Sequence, residues 1–194
     1  CSFLPRPSAI LGIRHVLLCV CFALFLPTSG GAKSRLMTKS IPYETSKLVF
    51  VGHAFGLANK KVTSAQTDNY LQTCDVQFWT GDGKLMNFQA CYLNENRHFI
   101  EASVEERLSG MYSWLKSVDW SVEAEKKLNL PHGEYRYRAF VRGTNNCFGF
   151  KLLFGDGLRG RADHRLTGFY CDGNVAPNET TIHSILKAIG YKHD

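Results

Sequence analysis

The sequence predicts an α+β fold: a mostly antiparallel sheet built from hairpins, with a mid-chain helix, a C-terminal helix and two disulfides. Three observations predict it. Apolar and β-branched runs pair at hairpin spacing around Asp82-Gly83 and around a glycine-rich stretch centred near Arg159. Two segments with helical periodicity, residues 104–115 and 177–189, stand between and after these strands. Four cysteines, Cys74, Cys91, Cys147 and Cys171, fall within or at the ends of predicted strands.

Ahead of that domain the N-terminus has a different character. Arg6, Arg14 and His15 come first with no acid near them, and an apolar run spans residues 16–26. Pro27 breaks the run, and the small residues Thr28 to Ala32 follow. Basic, apolar and small-residue regions in that order predict a secretory signal peptide over residues 1–32, cleaved after Ala32. The apolar run is shorter than the roughly 20 residues a spanning helix needs, so the processed chain is not expected to be an integral membrane protein. Bulky residues precede Cys19 and Cys21, which argues against a lipid-modified cysteine. Because the first residue is Cys1 and not Met, the chain is expected to be a fragment or an early-truncated reading frame. Cleavage would remove Arg6 and Arg14 and no acid, taking the net charge from +6 to +4. That balance favours anionic surfaces without naming one.

Residues 33–46 are polar, contain Pro42 and predict a flexible arm; residues 47–194 form the single disulfide-bonded domain. Residues 47–51 predict a short strand, bracketed from the next by Gly52 and Gly56. Asp82-Gly83 is the strongest turn signal in the chain, because both residues tolerate the positive φ of a two-residue type I′ hairpin. With Gly81 facing Lys84, counting outward sets Cys74 opposite Cys91 at a non-hydrogen-bonded pair, close enough for a disulfide. Both faces of this hairpin mix apolar and polar residues, so a bulge would shift the register by one. Residues 98–102 predict another short strand. Ser103 and Glu106 have capping-box spacing and open a helix marked by Val104, Leu108, Tyr112 and Leu115. A second short helix is predicted from Val122 to Asn129, stopped before Pro131.

Strands return at residues 135–141, 148–154 and 166–171. Antiparallel pairing of the last two, about a loop centred near Arg159, brings Cys147 to Cys171. The final helix has Pro177 at its first position, an apolar stripe of Ile182, Ile185, Leu186 and Ile189, and Gly190 beyond its end.

The C-terminal third carries Tyr135-Arg-Tyr-Arg-Ala-Phe140, Cys147-Phe-Gly-Phe150, Phe154-Gly155 and Gly168-Phe-Tyr-Cys171, then a helix ending Ala188-Ile-Gly190. Over about 55 residues this resembles small exported proteins of alphaproteobacteria that have no assigned function. The resemblance implies export and a Cys147–Cys171 bond. It implies no catalytic residue.

One concentration of charge stands out. Arg136, Arg138, Arg142, Lys151, Arg159, Arg161 and Arg165 lie within thirty residues, opposed there only by Asp156 and Asp163. Arg136, Arg138 and Arg142 share parity and project from one strand face. Arginine holds phosphate or carboxylate through two parallel hydrogen bonds, so Arg136, Arg138, Arg142, Arg159, Arg161 and Arg165 form the candidate anion-binding set. The plain alternative is a solvated strand face with ordinary surface charge. The aromatic residues alternate onto the other face, which is no stacking platform for bases, and nucleic acid is not expected as a partner.

No cluster specifies a reaction. HExxH, CxxC and GxSxG are absent, and cysteines used in disulfides leave no thiol nucleophile, so no catalytic residue, metal or cofactor is assigned. Asn178-Glu-Thr180 is a glycosylation sequon that matters only in a eukaryotic secretory pathway. The sequence therefore predicts a periplasmic or secreted, non-enzymatic binding module. Its partners would be anionic lipid head groups, a cell-wall polymer or an acidic protein. Two alternatives remain: a hydrolase acting on envelope material, which needs His98 or His132 to meet an acid in a pocket, and a structural protein with an apolar interface.

Overall fold

Asp82 and Gly83 both take positive φ, at 50° and 70°, and join two ten-residue strands without a bulge. A computed structural model of the chain describes residues 36–67, 71–94, 97–120, 123–155 and 162–192. In chain order the elements are β1 (Leu36–Ser40), β2 (Leu48–Val49), β3 (Asn59–Thr67), β4 (Gln72–Gly81), β5 (Lys84–Leu93), α1 (Val104–Met111), β6 (Lys126–Leu130), β7 (Gly133–Arg142), β8 (Asn145–Phe154), β9 (His164–Asp172), α2 (Glu179–Lys187) and β10 (Gly190–Tyr191). Eight strands form one antiparallel sheet in the order β1-β3-β4-β5-β9-β8-β7-β6, and β10 pairs with β2 separately. The predicted α+β class is thus observed in its coarse form.

The register inferred from the turn holds. Gly81 faces Lys84, and Cys74 faces and is bonded to Cys91. Cys147 faces and is bonded to Cys171 across β8 and β9. These bonds tie β4 to β5 and β8 to β9, four strands at the centre of the sheet.

The two faces of the sheet are covered differently. One face carries Trp79, Met86, Phe88, Tyr135, Phe148, Phe150, Leu166 and Tyr170, packed under Ile182, Ile185, Leu186 and Ile189 of the C-terminal segment and under Leu48, Phe50 and Leu57. Buried Gln77 fixes that N-terminal segment by donating to the Leu48 carbonyl at 2.9 Å and accepting from the Trp79 indole at 3.1 Å. The opposite face is covered by α1 over Phe140, Cys147, Phe169 and Cys171 only. Gly149 of β8 makes that seat possible, since a Cβ there would lie 2.3 Å from the Leu108 side chain. Among the described residues no helix lies over the part of this face formed by β1, β3, β4 and β5, and a long cleft runs there beside α1.

Several expectations are corrected. Part of the predicted flexible arm is edge strand β1, paired with β3 from Leu36↔Thr67 to Ser40↔Thr63; backbone pairing needs no apolar signal. β3 itself was not anticipated, because only Val62 and Ala65 of its nine residues are buried. The predicted helix at residues 122–129 is instead β6, joined to β7 by a two-residue turn at Pro131-His132; Ser121 and Val122 lie outside the described residues. Residues 98–102 have no regular structure. The last helix starts later than predicted. Asn178 caps it by accepting from the Thr181 N–H at 2.9 Å, so Pro177 precedes the cap. The mid-chain helix does open with the Ser103–Glu106 capping box, and it ends at Met111 before a short 3-10 turn.

Candidate functional site

The arginines of β7 sit on the α1 side of the sheet with the shared parity expected of them, and they are already engaged. Arg136 lies between Glu134 at 3.2 Å, Glu101 at 3.4 Å and Glu125 at 3.6 Å. Arg138 meets Glu105 at 2.6 Å and the Glu123 carbonyl at 2.9 Å. Hydrogen bonding to Glu134 and the nearby Glu101 and Glu125 hold the Arg136 pKa above its usual range. Lys151, opposite Arg136 on β8, is buried and bonded to Glu101 and to the Ala102 carbonyl. Arg142 is exposed and lies 4.1 Å above the Trp114 ring. Arg159 and Arg161 lie outside the described residues.

Arg165 is in a different situation. It is 7% exposed, and its Nε has no hydrogen-bond partner. No described residue forms an ion pair with it, and its only side-chain contact of note is the Phe99 ring, 4.3 Å from the guanidinium carbon. Burial, with the charge of Arg107 adding to it, pushes its pKa down to about 10. The group therefore remains a cation at neutral pH. Two residues along the same side of β9, the fully buried Thr167 hydroxyl is also without a partner.

The sheet register explains what surrounds this cation. On the α1 side, one row runs Thr38, Ala65, Cys74, Cys91, Arg165. The next runs Thr63, Val76, Gln89, Thr167, Lys151. A third runs Lys61, Phe78, Asn87, Phe169. The parts of these rows on β1, β3, β4 and β5, with Arg165, border a cleft of about 420 Å³ that Gln72, Gln89, Met111 and Tyr112 also line. The cleft continues past Thr63, Val76 and Asn87 to exposed Phe78 and Lys61. Beside Arg165 the floor is the Cys74–Cys91 disulfide, an apolar surface that strengthens the field of an unpaired charge.

The remaining sequence candidates do not converge. His132 lines a cavity of about 270 Å³ on the other face with Tyr135, Leu152, Phe154, Ile189 and Tyr191, and no acid among the described residues lines it. His98 is exposed. His164 has Asp163 at 2.6 Å from Nδ1 but is stacked among Tyr92, Phe154 and Tyr191. Among the described residues no three His, Cys, Asp or Glu side chains gather closely enough to hold a metal ion. No described helix is long and apolar enough to cross a membrane.

No protein-family model matches this chain, and neither a curated protein nor a solved structure matches it.

Proposed function

We propose that this protein is an exported, non-enzymatic binding module whose ligand brings an anionic group to Arg165. The observation that carries this reading is an arginine only 7% exposed that has, among the described residues, no acid paired with it and no acceptor for its Nε. A charge removed from water costs several kcal/mol unless it is paired, and folds rarely retain one without a counter-charge. A carboxylate or phosphate in the cleft would supply the counter-charge and use the guanidinium's parallel donors. The Gln89 amide sits on the next row and lines the cleft beside Arg165, placed to share in that contact. This reading keeps the anionic partner expected from the sequence and moves its anchor to Arg165 from the β7 arginines, of which Arg136 and Arg138 are already paired with glutamates and Arg142 lies against Trp114. Two disulfides are in keeping with an oxidising compartment, which supports the export half of the proposal.

Thermal unfolding at fixed ionic strength tests it. Acetate, inorganic phosphate and galacturonate would each be titrated against wild type and Arg165→Gln. A ligand that binds only the folded state raises its stability by about 2.7 kcal/mol at a hundredfold excess over Kd. Wild type is expected to respond to at least one of these anions and Arg165→Gln to none. Equal responses in the two proteins would remove Arg165 from the site.

A further inference from the structure

We infer that the occupant of this cleft is an acidic oligosaccharide, with a uronic acid carboxylate on Arg165 and its sugar rings lying along the open sheet face. This rests on the Arg165 anchor proposed above. Three features of the cleft select the class.

The first is the chemistry of the walls. Thr38, Thr63, Gln72, Asn87 and Gln89 line it, and amides and hydroxyls offer both donors and acceptors, as a hydroxyl-rich ligand requires. Their hydrogen-bonding capacity is largely unspent. Among the described residues the Gln72 amide donates to Cys74 Sγ at 3.0 Å and the Gln89 amide to Met111 Sδ at 3.7 Å. Sulfur is a weak acceptor, so both amides would gain by exchanging it for a sugar oxygen. Thr38 and Thr63 make no side-chain hydrogen bond among the described residues.

The second feature is length. The cleft beside Arg165 and its continuation share Thr38, Thr63, Val76 and Asn87, so they are one groove. Its outer end has Lys61 and Phe78, which is 38% exposed on the groove side. The Lys61 row lies four residues along the strands from the Arg165 row, about 13 Å. A single sugar ring cannot span that distance, whereas a short oligomer can place one acid on Arg165, another near Lys61 and a ring face on Phe78.

The third feature is the groove's position. It runs over the paired strands β3, β4 and β5 and reaches edge strand β1 only at Thr38, so its floor offers side chains and not unpaired backbone groups to an added peptide strand. That sets an acidic oligosaccharide ahead of an acidic peptide.

The test is calorimetric titration of the full domain with galacturonate, a galacturonate trimer, a maltose trimer and tripolyphosphate. The galacturonate trimer is expected to bind roughly tenfold or more tighter than the monomer, as two or three added hydrogen bonds allow. The maltose trimer, lacking the carboxylate, is expected not to bind measurably. The double variant Gln72→Met, Gln89→Met, checked for folding by circular dichroism, is expected to lose most of the trimer's advantage. Phe78→Ala, a surface change that leaves the core alone, is expected to lose part of it. If the trimer binds no tighter than the monomer, or tripolyphosphate binds tighter than either, the sugar assignment is wrong while the Arg165 anchor stands. If none of the anions binds, both readings fall.

Discussion

Lys151 and Arg165 lie on the same face of adjacent strands, both nearly out of contact with solvent, and the protein treats them in opposite ways. Lys151 is held by the Glu101 carboxylate and the Ala102 carbonyl, delivered by the loop that leads into α1. Arg165, one strand over and two residues along, has an aromatic ring against it and, among the described residues, no acceptor for its Nε. Of two neighbouring buried cations on this face, one is satisfied and one is not. A cation that the fold satisfies contributes to architecture; a cation left bare at the floor of a cleft is set up to meet something from outside.

The comparison depends first on β8 and β9 staying in register, since they carry the two cations. Removing the bond between them with Cys147→Ser and Cys171→Ser has the largest expected effect, a loss of about 3 kcal/mol for its loop. Urea unfolding would measure it. A smaller loss is expected on the satisfied side. Glu101→Gln removes the counter-charge beside Lys151 while keeping an acceptor oxygen, and should cost about 1 kcal/mol, reduced because Glu101 is half-exposed. The same change should leave any anion response at Arg165 intact, because Glu101 makes no ion pair with Arg165 among the described residues. Glu101→Gln altering that response would show that the two cations do not act separately.

The smallest effect is a pH dependence. The Arg165 pKa of about 10 in the folded protein lies below that of the unfolded chain, so the folded state releases its proton first. The charge therefore costs the same at all lower pH values, and wild type gains stability relative to Arg165→Met as pH climbs through about 10. Anion binding should decline over the same range. A stability difference flat through that range, measured by chemical denaturation, would mean that the guanidinium is better solvated than its burial implies.

How far these features were legible depended on whether the signal was local. Asp82-Gly83 sets a turn, the turn sets a register, and the register places Cys74 on Cys91 by counting alone. Ser103 and Glu106 announce α1 within four residues. β3 gives no such signal, because its outward side chains are polar and its core contribution is Val62 and Ala65. β6 was misread because a short lysine-rich run before proline fits a helix end as well as an edge strand. For the site, strand parity identified the face of the β7 arginines, but their neutralising partners Glu101, Glu105 and Glu125 come from segments remote in sequence. Counting charges placed Arg165 in the candidate set with five others. What sets it apart is that no described residue forms an ion pair with it, a property of the assembled sheet that no window of sequence contains.

The most direct test is the melting temperature of Arg165→Met against wild type, with and without galacturonate. Methionine fills similar space without the charge, so the unliganded variant should melt higher, by the equivalent of about 1 kcal/mol after the lost contact with Phe99, and should ignore the ligand. Wild type should melt lower alone and rise with galacturonate. A variant that melts lower than wild type and still responds to the ligand would show that Arg165 is structural and that the anion site is elsewhere.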